Sequence, residues 1–307
     1  MKTRLANPIY DVVFKSMMEN EQVAKILLSA LLKKEIVDVK PGKNEFPNTH
    51  TPNLSIFKID FSARVKDEDG TEQQITIEIQ KTWGSYEVLR FRQYLAKQYL
   101  APENVQILED GAMPYGIPLV TIYLLGHLIG DIPEPVIYVR RNYFDYDDNI
   151  IDYKDDFIES LSHDSIIVQI PLLKGKARNY LERILQVFDQ EYIKKDDSHI
   201  LEIEESNLEK EADLQPIIRC LTKLVSSSEV REIMEVEDIY LGEKAFDDNQ
   251  RLKAQQKIEE KSKIIEEKSQ VIKSAILILS KNGLSTEAIA KELSLNVDEV
   301  EKILQTS

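Results

Sequence analysis

The sequence contains few of the residues that mark several common kinds of site. Its single cysteine, Cys220, excludes an intramolecular disulfide and a cysteine-based zinc site. The four histidines are not spaced as paired metal ligands; they are His50, His127, His163 and His199. Only 10 glycines occur, and none belongs to a Walker loop or a dinucleotide-binding pattern. These absences argue against nucleotide-binding and cysteine-zinc classes.

Long apolar runs are absent as well. No stretch of apolar residues approaches the length of about 18 that a membrane-spanning helix needs, and the N-terminus has no signal-peptide core. We therefore expect a soluble cytoplasmic protein without a membrane partner. With 307 residues and 42% hydrophobic content, the chain is long enough for one large domain and an appendage.

Positive charge is scarce, and the net charge of -15 is unfavourable for a protein that contacts nucleic acid. The deficit is unevenly distributed. Residues 1–110 hold 15 Lys and Arg against 16 Asp and Glu, whereas the rest of the chain holds 24 against 38. A nucleic-acid contact is therefore expected in the first third of the chain.

Residues 57–81 read FKIDFSARVKDEDGTEQQITIEIQK and predict a β-hairpin. In each half, apolar and polar residues alternate, which is typical of strands with one buried face. Gly70 suits the left-handed position that ends a three-residue loop, and this loop sets Asp67 opposite Thr71.

The register that follows places two acids together. Paired residue numbers sum to 138, so Phe61 faces Ile77 and Asp60 faces Glu78. A slip of one residue would set apolar against polar side chains along the whole ladder, so this register is preferred.

Directly opposed residues have Cβ atoms roughly 4.5 to 5.5 Å apart, and two carboxylates that close repel each other unless a cation or a proton intervenes. Gln80 lies on the same face as Glu78 and offers an amide oxygen, whereas Lys81 is out of phase and should point to the other face. Such oxygen donors suit Mg2+ or Mn2+, which can activate a water and stabilise charge on a phosphodiester. The alternative is that these acids are solvent-facing residues of an amphipathic hairpin.

Four sequence features resemble the PD-(D/E)XK nuclease family transposases, also called recombination-promoting nucleases. Asp60, seventeen residues and then Glu78-Ile79-Gln80 is similar to the D-x(n)-E-x-Q variant of the superfamily motif. The others are a D-x-x-F-K signature at Asp11 to Lys15, an arginine and an aromatic residue at Arg90 and Tyr94, and a short helical tail at 283–290. The chain departs from the superfamily pattern because no proline precedes Asp60 and Gln80 replaces a lysine.

The resemblance implies a Mg2+-dependent (or Mn2+-dependent) DNA endonuclease associated with recombination or mobile elements. In that interpretation Asp60 and Glu78 hold the metal, and Gln80 orients the attacking water or completes the ligand shell. The supporting or phosphate-binding residues would be Asp11, Lys15, Arg90 and Tyr94. The competing hypothesis is a catalytically inactive scaffold that keeps the nuclease fold and assembles through its helical C-terminal region.

The predicted order of elements is that of an α/β restriction-endonuclease-like core with a mixed sheet: helix, three strands, helix, strand. Its helices are expected at 20–33 and 86–100, and its strands at 36–39, in the hairpin and at 117–125, with a loop at 41–52. Further strands are predicted at 136–141 and 165–171, and a further helix at 177–192. We assign residues 1–193 to a nuclease-like domain, 194–213 to a charged linker, and 214–307 to a helical region.

The helical region begins with a helix at 214–234 and continues as a long polar helix at about 243–281. In the latter, Ile258, Ile265, Ile272 and Leu279 recur every seven residues, which is typical of a coiled coil. A homodimer and a solvated helix packed on its own domain both fit this pattern. Residues 285–304 predict a helix-turn-helix-like pair, but its acidic second helix is poorly suited to read a DNA groove.

Overall fold

The structure is a computed structural model that describes residues 2–42, 45–47, 56–58, 60–81, 87–106, 115–175, 177–204 and 212–305. The chain divides into two compact units, Met1–Leu241 and Gly242–Ser307. The fold is mixed α/β with a helical C-terminal region.

The first unit contains most of the strands and helices. Its strands are β1 (Lys2–Ala6), β2 (Ile36–Pro41), β3 (Glu45–Pro47), β4 (Ile56–Lys58), β5 (Phe61–Asp67), β6 (Glu72–Gln80), β7 (Val105–Gln106), β8 (Tyr115–Gly116), β9 (Leu119–Leu125), β10 (Val136–Val139), β11 (Tyr143–Phe144), β12 (Ile150–Ile151), β13 (His163–Gln169), β14 (Ile193–Lys194) and β15 (Asp197–Glu204). The helices of the described residues are α1 (Asp11–Met18), α2 (Glu21–Leu32), α3 (Glu87–Leu100), α4 (Asp156–Leu161), α5 (Tyr180–Leu185), α6 (Leu214–Val225), α7 (Ser228–Lys281), α8 (Thr286–Leu293) and α9 (Val297–Gln305).

A six-stranded mixed sheet forms the centre, in the order β10-β13-β9-β6-β5-β2. The β6–β9 and β9–β13 pairs are parallel, and the other pairs are antiparallel. The predicted hairpin register is confirmed, since Phe61 pairs with Ile77 and Ala63 with Ile75. Gly70 has a φ of +86° and closes the predicted loop by donating to the Asp67 carbonyl.

The two faces of this hairpin are buried against different partners. Its apolar side chains join one large core with those of α1, α2, α5 and α6. Its polar face lies under α3, where Gln98 Nε2 donates to Ser62 Oγ at 3.4 Å. The alternation read from the sequence therefore separates a packed apolar layer from a buried polar one.

The predicted charged linker at 194–213 is wrong over its first part. Residues Asp197–Glu204 form β15, which pairs antiparallel with β1 and β14 in a second sheet. Leu201 and Ile203 are fully buried in the main core, while Glu204 is exposed. Strand β15 was missed because its outward acids make the segment look uniformly charged. Its partner strand β1 was not predicted either. Residues 205–211 of that prediction lie outside the described residues.

The first compact unit therefore extends beyond residue 193, where the predicted first domain ends. The second sheet and α6 both contribute to the main core, with Leu214, Ile217 and Leu221 buried there. The boundary between the two units falls after Leu241, within α7, and not in a linker.

Other boundaries shift for local reasons. The helix predicted at 177–192 is α-helical only over α5 and continues as two short 3-10 turns. The loop predicted at 41–52 includes β3, which pairs with β4. The helix predicted at 214–234 is interrupted at Ser226-Ser227, and the long helix begins at Ser228 instead of 243.

The second unit has a small core of its own. Ile276, Ile289, Ala290 and Val300 are buried together. The predicted terminal helix pair is present as α8 and α9, and Ser285 Oγ accepts from the Ala288 amide as an N-cap. No helix among the described residues is long and apolar enough to cross a bilayer.

Candidate active site

The polar face of the hairpin is buried, so its acids are not solvent-facing residues. Ser62, Gln74, Thr76, Glu78 and Gln80 are each less than 7% exposed. Buried polar groups of this kind require partners, because their desolvation costs free energy that only hydrogen bonds or charges offset.

Asp60 lies at the bend directly before β5. Its Oδ2 accepts from the Ile79 backbone amide at 2.7 Å, and its Oδ1 is 3.8 Å from Lys15 Nζ. Burial, together with the nearby Asp11 carboxylate, raises the pKa of Asp60 to about 7 in spite of these two partners. The side chain is therefore anchored to β6 next to Glu78, as the predicted register requires.

Glu78 lies on β6 and is 2% exposed. Both of its carboxylate oxygens are buried, and neither accepts a hydrogen bond from the described residues. Arg90 Nη2 lies 3.9 Å from Oε2. Burial raises the pKa of Glu78 well above its ordinary value, and the charge of Asp60 raises it further. Asp60 and Glu78 therefore destabilise each other's ionised forms inside the protein.

Helix α1 contributes the next two charged side chains, which lie on one face of the helix. Asp11 and Lys15 are four residues apart and share a helix face, where Lys15 Nζ lies 2.6 Å from Asp11 Oδ2. Phe14 between them is completely buried and contacts Phe188 in the core. The D-x-x-F-K pattern thus combines two site-facing charges with one anchoring aromatic ring.

Helix α3 covers the site with Arg90 and Tyr94. The Arg90 guanidinium lies 5.5 Å from the Phe91 ring centroid and 5.9 Å from that of Tyr94. Tyr94 is 4% exposed. The predicted shared face of Arg90 and Tyr94 is confirmed, and Tyr94 serves to pack the helix and orient the arginine.

Gln80 continues the buried face at the end of β6, and the next strand fixes its backbone. The Gly126 amide donates to the Gln80 carbonyl at 2.7 Å. A Cβ at Gly126 would lie 2.4 Å from the Lys81 carbonyl oxygen, so this approach requires a glycine. Ligand-binding groups commonly gather at such carboxyl ends of parallel strands.

Lys81 belongs to a second polar cluster that sequence reasoning missed. Its Nζ lies 2.5 Å from Asp238 Oδ1 and 3.4 Å from the centroid of the Tyr10 ring. Asp238 also accepts from the Tyr10 hydroxyl at 2.9 Å and lies 2.9 Å from His199 Nε2. These partners are separated from Lys81 by up to 157 positions, so no local pattern could reveal them.

The same turn of α7 reaches α1. Glu237 Oε2 accepts from the Asp11 backbone amide at 3.0 Å. Burial raises the pKa of Glu237 to about 7. The pKa of Asp238 is lowered, because the hydrogen bonds from Lys81 and Tyr10 outweigh the effect of burial.

The donor set fits a divalent cation bound through two carboxylates. Mg2+ typically takes one or two carboxylates and keeps several waters, and Asp60 and Glu78 provide these, with the buried amide of Gln80 beside them. The buried oxygens of Glu78 that receive no hydrogen bond from the described residues are the observation that favours a cation here. No larger group of three or more His, Cys, Asp or Glu arranged to hold a metal occurs within the described part of the chain.

An open groove of about 1140 Å³ lies elsewhere on the first unit, between α2, β10 and α5. Several of its cations already have partners, since Lys34 lies 3.0 Å from Asp67 and Arg178 lies 2.8 Å from Glu182. None of the predicted site residues lines it. The buried carboxylates therefore remain the better candidate site.

Comparison of the chain with protein-family models, with curated proteins and with solved structures finds no match in any of the three.

Proposed function

We propose that the protein is a Mg2+-dependent DNA endonuclease with a PD-(D/E)XK-type site on a restriction-endonuclease-like core. One observation carries the proposal: two carboxyl groups, those of Asp60 (14% exposed) and Glu78 (3% exposed), lie next to each other between Lys15 and Arg90. Such a pair avoids mutual repulsion only when a proton or a cation neutralises one of the charges. A divalent cation would do so and would also serve phosphodiester hydrolysis.

The roles follow from the contacts. Asp60 and Glu78 would hold the cation, which when bound supplies charge neutralisation and activates a water for phosphodiester hydrolysis. Gln80 lies on the same buried face, where its amide can orient that water or complete the ligand shell. Asp11 holds Lys15 at 2.6 Å next to Asp60.

Two cations flank the acids and would face the substrate. Lys15 Nζ is 3.8 Å from Asp60 and Arg90 Nη2 is 3.9 Å from Glu78, distances longer than a direct hydrogen bond. Lys15 also lies 2.6 Å from Asp11 and would exchange part of this pairing for a phosphate oxygen. A guanidinium and an ammonium on opposite sides of the acids would hold a scissile phosphate between them and stabilise its developing charge.

Cleavage of supercoiled plasmid with and without Mg2+ tests the proposal. Asp60→Asn and Glu78→Gln preserve shape, and each is expected to abolish Mg2+-dependent nicking and linearisation. Asp67→Asn is the matched control, because Asp67 is a buried acid at the other end of β5 that binds Lys34 instead. This control should retain the wild-type rate per folded molecule.

If the wild type cleaves no faster than Asp60→Asn, the endonuclease proposal fails and the scaffold hypothesis gains. Single-stranded RNA and DNA of the same sequence as competitors distinguish the nucleic-acid classes.

We also propose that the protein assembles as a homodimer through α7. Ile258 and Ile265 are 66% and 67% exposed, and Ile272 is 37% exposed, all at heptad spacing. An exposed apolar seam with this period fits a second helix of the same kind.

A further inference from the structure

The first turns of α7 are fastened to the backbone and side chains beside the proposed site. Glu237 accepts from the Asp11 amide at 3.0 Å, and Asp238 binds both Lys81 and the Tyr10 hydroxyl. Apolar packing of this helix on the core occurs further upstream, at Val230 and Met234. The attachment at 237–238 is therefore polar and specific in position.

Glu237 acts on helix α1. The first amide groups of a helix have no partner within the helix and attract negative charge. Glu237 meets this need at Asp11, whose own carboxylate holds Lys15 at 2.6 Å, and Lys15 faces Asp60 at 3.8 Å. Replacement of Glu237 would therefore change the position of Lys15.

Asp238 acts on the end of strand β6. It holds Lys81, the residue directly after Gln80, and it also holds Tyr10, the residue directly before α1. The Lys81 ammonium lies 3.4 Å from the centroid of the Tyr10 ring. The Asp238 carboxylate therefore holds both the C-terminal end of β6 and the N-terminal end of α1. These two elements carry Gln80 and Lys15.

We propose that Glu237 and Asp238 are positioning residues of the site, so that its geometry is complete only when the start of α7 is docked. The proposal rests on the endonuclease function for its kinetic consequence. Its structural consequence, loss of order in α1 and at the end of β6, does not depend on any activity.

The experiment compares Glu237→Gln/Asp238→Asn with Arg231→Gln in the full chain. Arg231 lies on the same helix and pairs with Asp197 on β15 at 2.8 Å, so it fastens α7 without contacting α1 or β6. Hydrogen–deuterium exchange at residues 11–18 and 79–81 and plasmid-cleavage kinetics are measured for both variants and for the wild type.

We expect faster exchange at both segments only in the Glu237/Asp238 variant. Its kcat should fall about 10- to 100-fold with KM for plasmid nearly unchanged, because small misplacements of reacting groups are costly. Asp238→Glu, which keeps the charge, should recover part of the rate. Lys81→Met combined with Asp238→Asn should lose no more than Asp238→Asn alone, since the loss of the Asp238 carboxylate already removes its contact with Lys81.

Exchange at 11–18 and 79–81 equal to that of Arg231→Gln would overturn the proposal, and so would a wild-type kcat in the double variant. If the wild type itself does not cleave DNA, the endonuclease function fails, and the exchange result still decides whether α7 positions these residues.

Discussion

At the residue scale, the chemistry depends on what neutralises Asp60 and Glu78. Both lie where the ionised form is disfavoured, and the pKa of Asp60 is raised to about 7. The folded protein therefore holds a proton on Asp60 that the unfolded chain releases near its ordinary pKa of 3.8. The contribution of Asp60 to the free energy of unfolding is fully present below pH 3.8 and is lost as the pH rises through about 7.

Mg2+ should therefore stabilise the protein in a pH-dependent way. At pH 8 the medium is above the pKa of about 7 of Asp60, which is then able to bind the cation as a carboxylate, and Mg2+ at about 100 times its dissociation constant should add about 2.7 kcal/mol to the free energy of unfolding. At pH 5 protons compete, and the rise in Tm should largely disappear. Differential scanning calorimetry of the wild type and of Asp60→Asn checks this, and an equal Tm shift in the variant would contradict it.

Lys15 should matter more for catalysis than for stability. It is 19% exposed and its partners are Asp11 and Asp60, so Lys15→Met removes a cation from the site and leaves the core intact. We expect kcat for plasmid cleavage to fall about 100-fold, comparable to the loss of one charge-stabilising donor, with Tm within a few degrees of the wild type. Lys25→Met, which removes an exposed i,i+4 partner of Glu21 on α2, should leave the rate unchanged.

At the element scale, the site depends on how strands β6 and β9 meet. Their parallel pairing sets Glu78 beside Tyr123, and the ring of Tyr123 contacts Phe91 of α3 at 4.9 Å. Helix α3 is thereby held over the acids by the neighbouring strand as well as by the hairpin. The same pairing brings Gly126 against the backbone of Gln80 and Lys81.

Gly126→Ala should disturb this junction. The added Cβ would meet the Lys81 carbonyl at 2.4 Å, and backbone atoms on both sides must shift. We expect a loss of about 1–3 kcal/mol, typical of overpacking, together with reduced cleavage by the folded fraction. Gly130→Ala is a control in open space, although its φ of +52° carries a strain cost of its own. Urea denaturation measures both, and a Gly126→Ala protein as stable as the wild type would contradict the expectation.

Much of the element-scale arrangement was predictable, because alternation is a local signal. The hairpin register from Phe61 to Lys66, the loop at Gly70 and helices α2 and α3 were all predicted from spacing. Strand β15 was not, because its pairing with β1 joins residues about 200 positions apart and its outward acids conceal the buried Leu201 and Ile203.

At the scale of the whole molecule, α7 belongs to both units. Its start lies in the first unit, where it contacts the site through Glu237 and Asp238, and its remainder carries the heptad seam into the second. The acids of the terminal helix, Asp298, Glu299 and Glu301, are exposed. This charge is unfavourable for groove binding, so the proposed DNA contact would fall to the first unit.

Removal of the apolar heptad residues of α7 tests the proposed dimer. Replacing Ile258, Ile265 and Ile272 with serine removes the apolar stripe without touching either core, since these side chains are outward. Sedimentation equilibrium should show a dimer for the wild type and a monomer for the triple variant, with thermal unfolding of the first unit unchanged. A wild type that is monomeric at all concentrations would contradict the dimer.

The sequence by itself determined the parts that local spacing encodes: the hairpin register from Phe61 to Lys66, the placement of Asp60 close to Glu78, the helical faces of Asp11 with Lys15 and Arg90 with Tyr94, and the heptads of α7. Tertiary structure decided that the polar hairpin face is buried, that β15 closes onto β1, and that Glu237 and Asp238 reach α1 and Lys81. The physical reason is that periodicity reports which side of an element is apolar, whereas burial of a polar face depends on which distant element covers it.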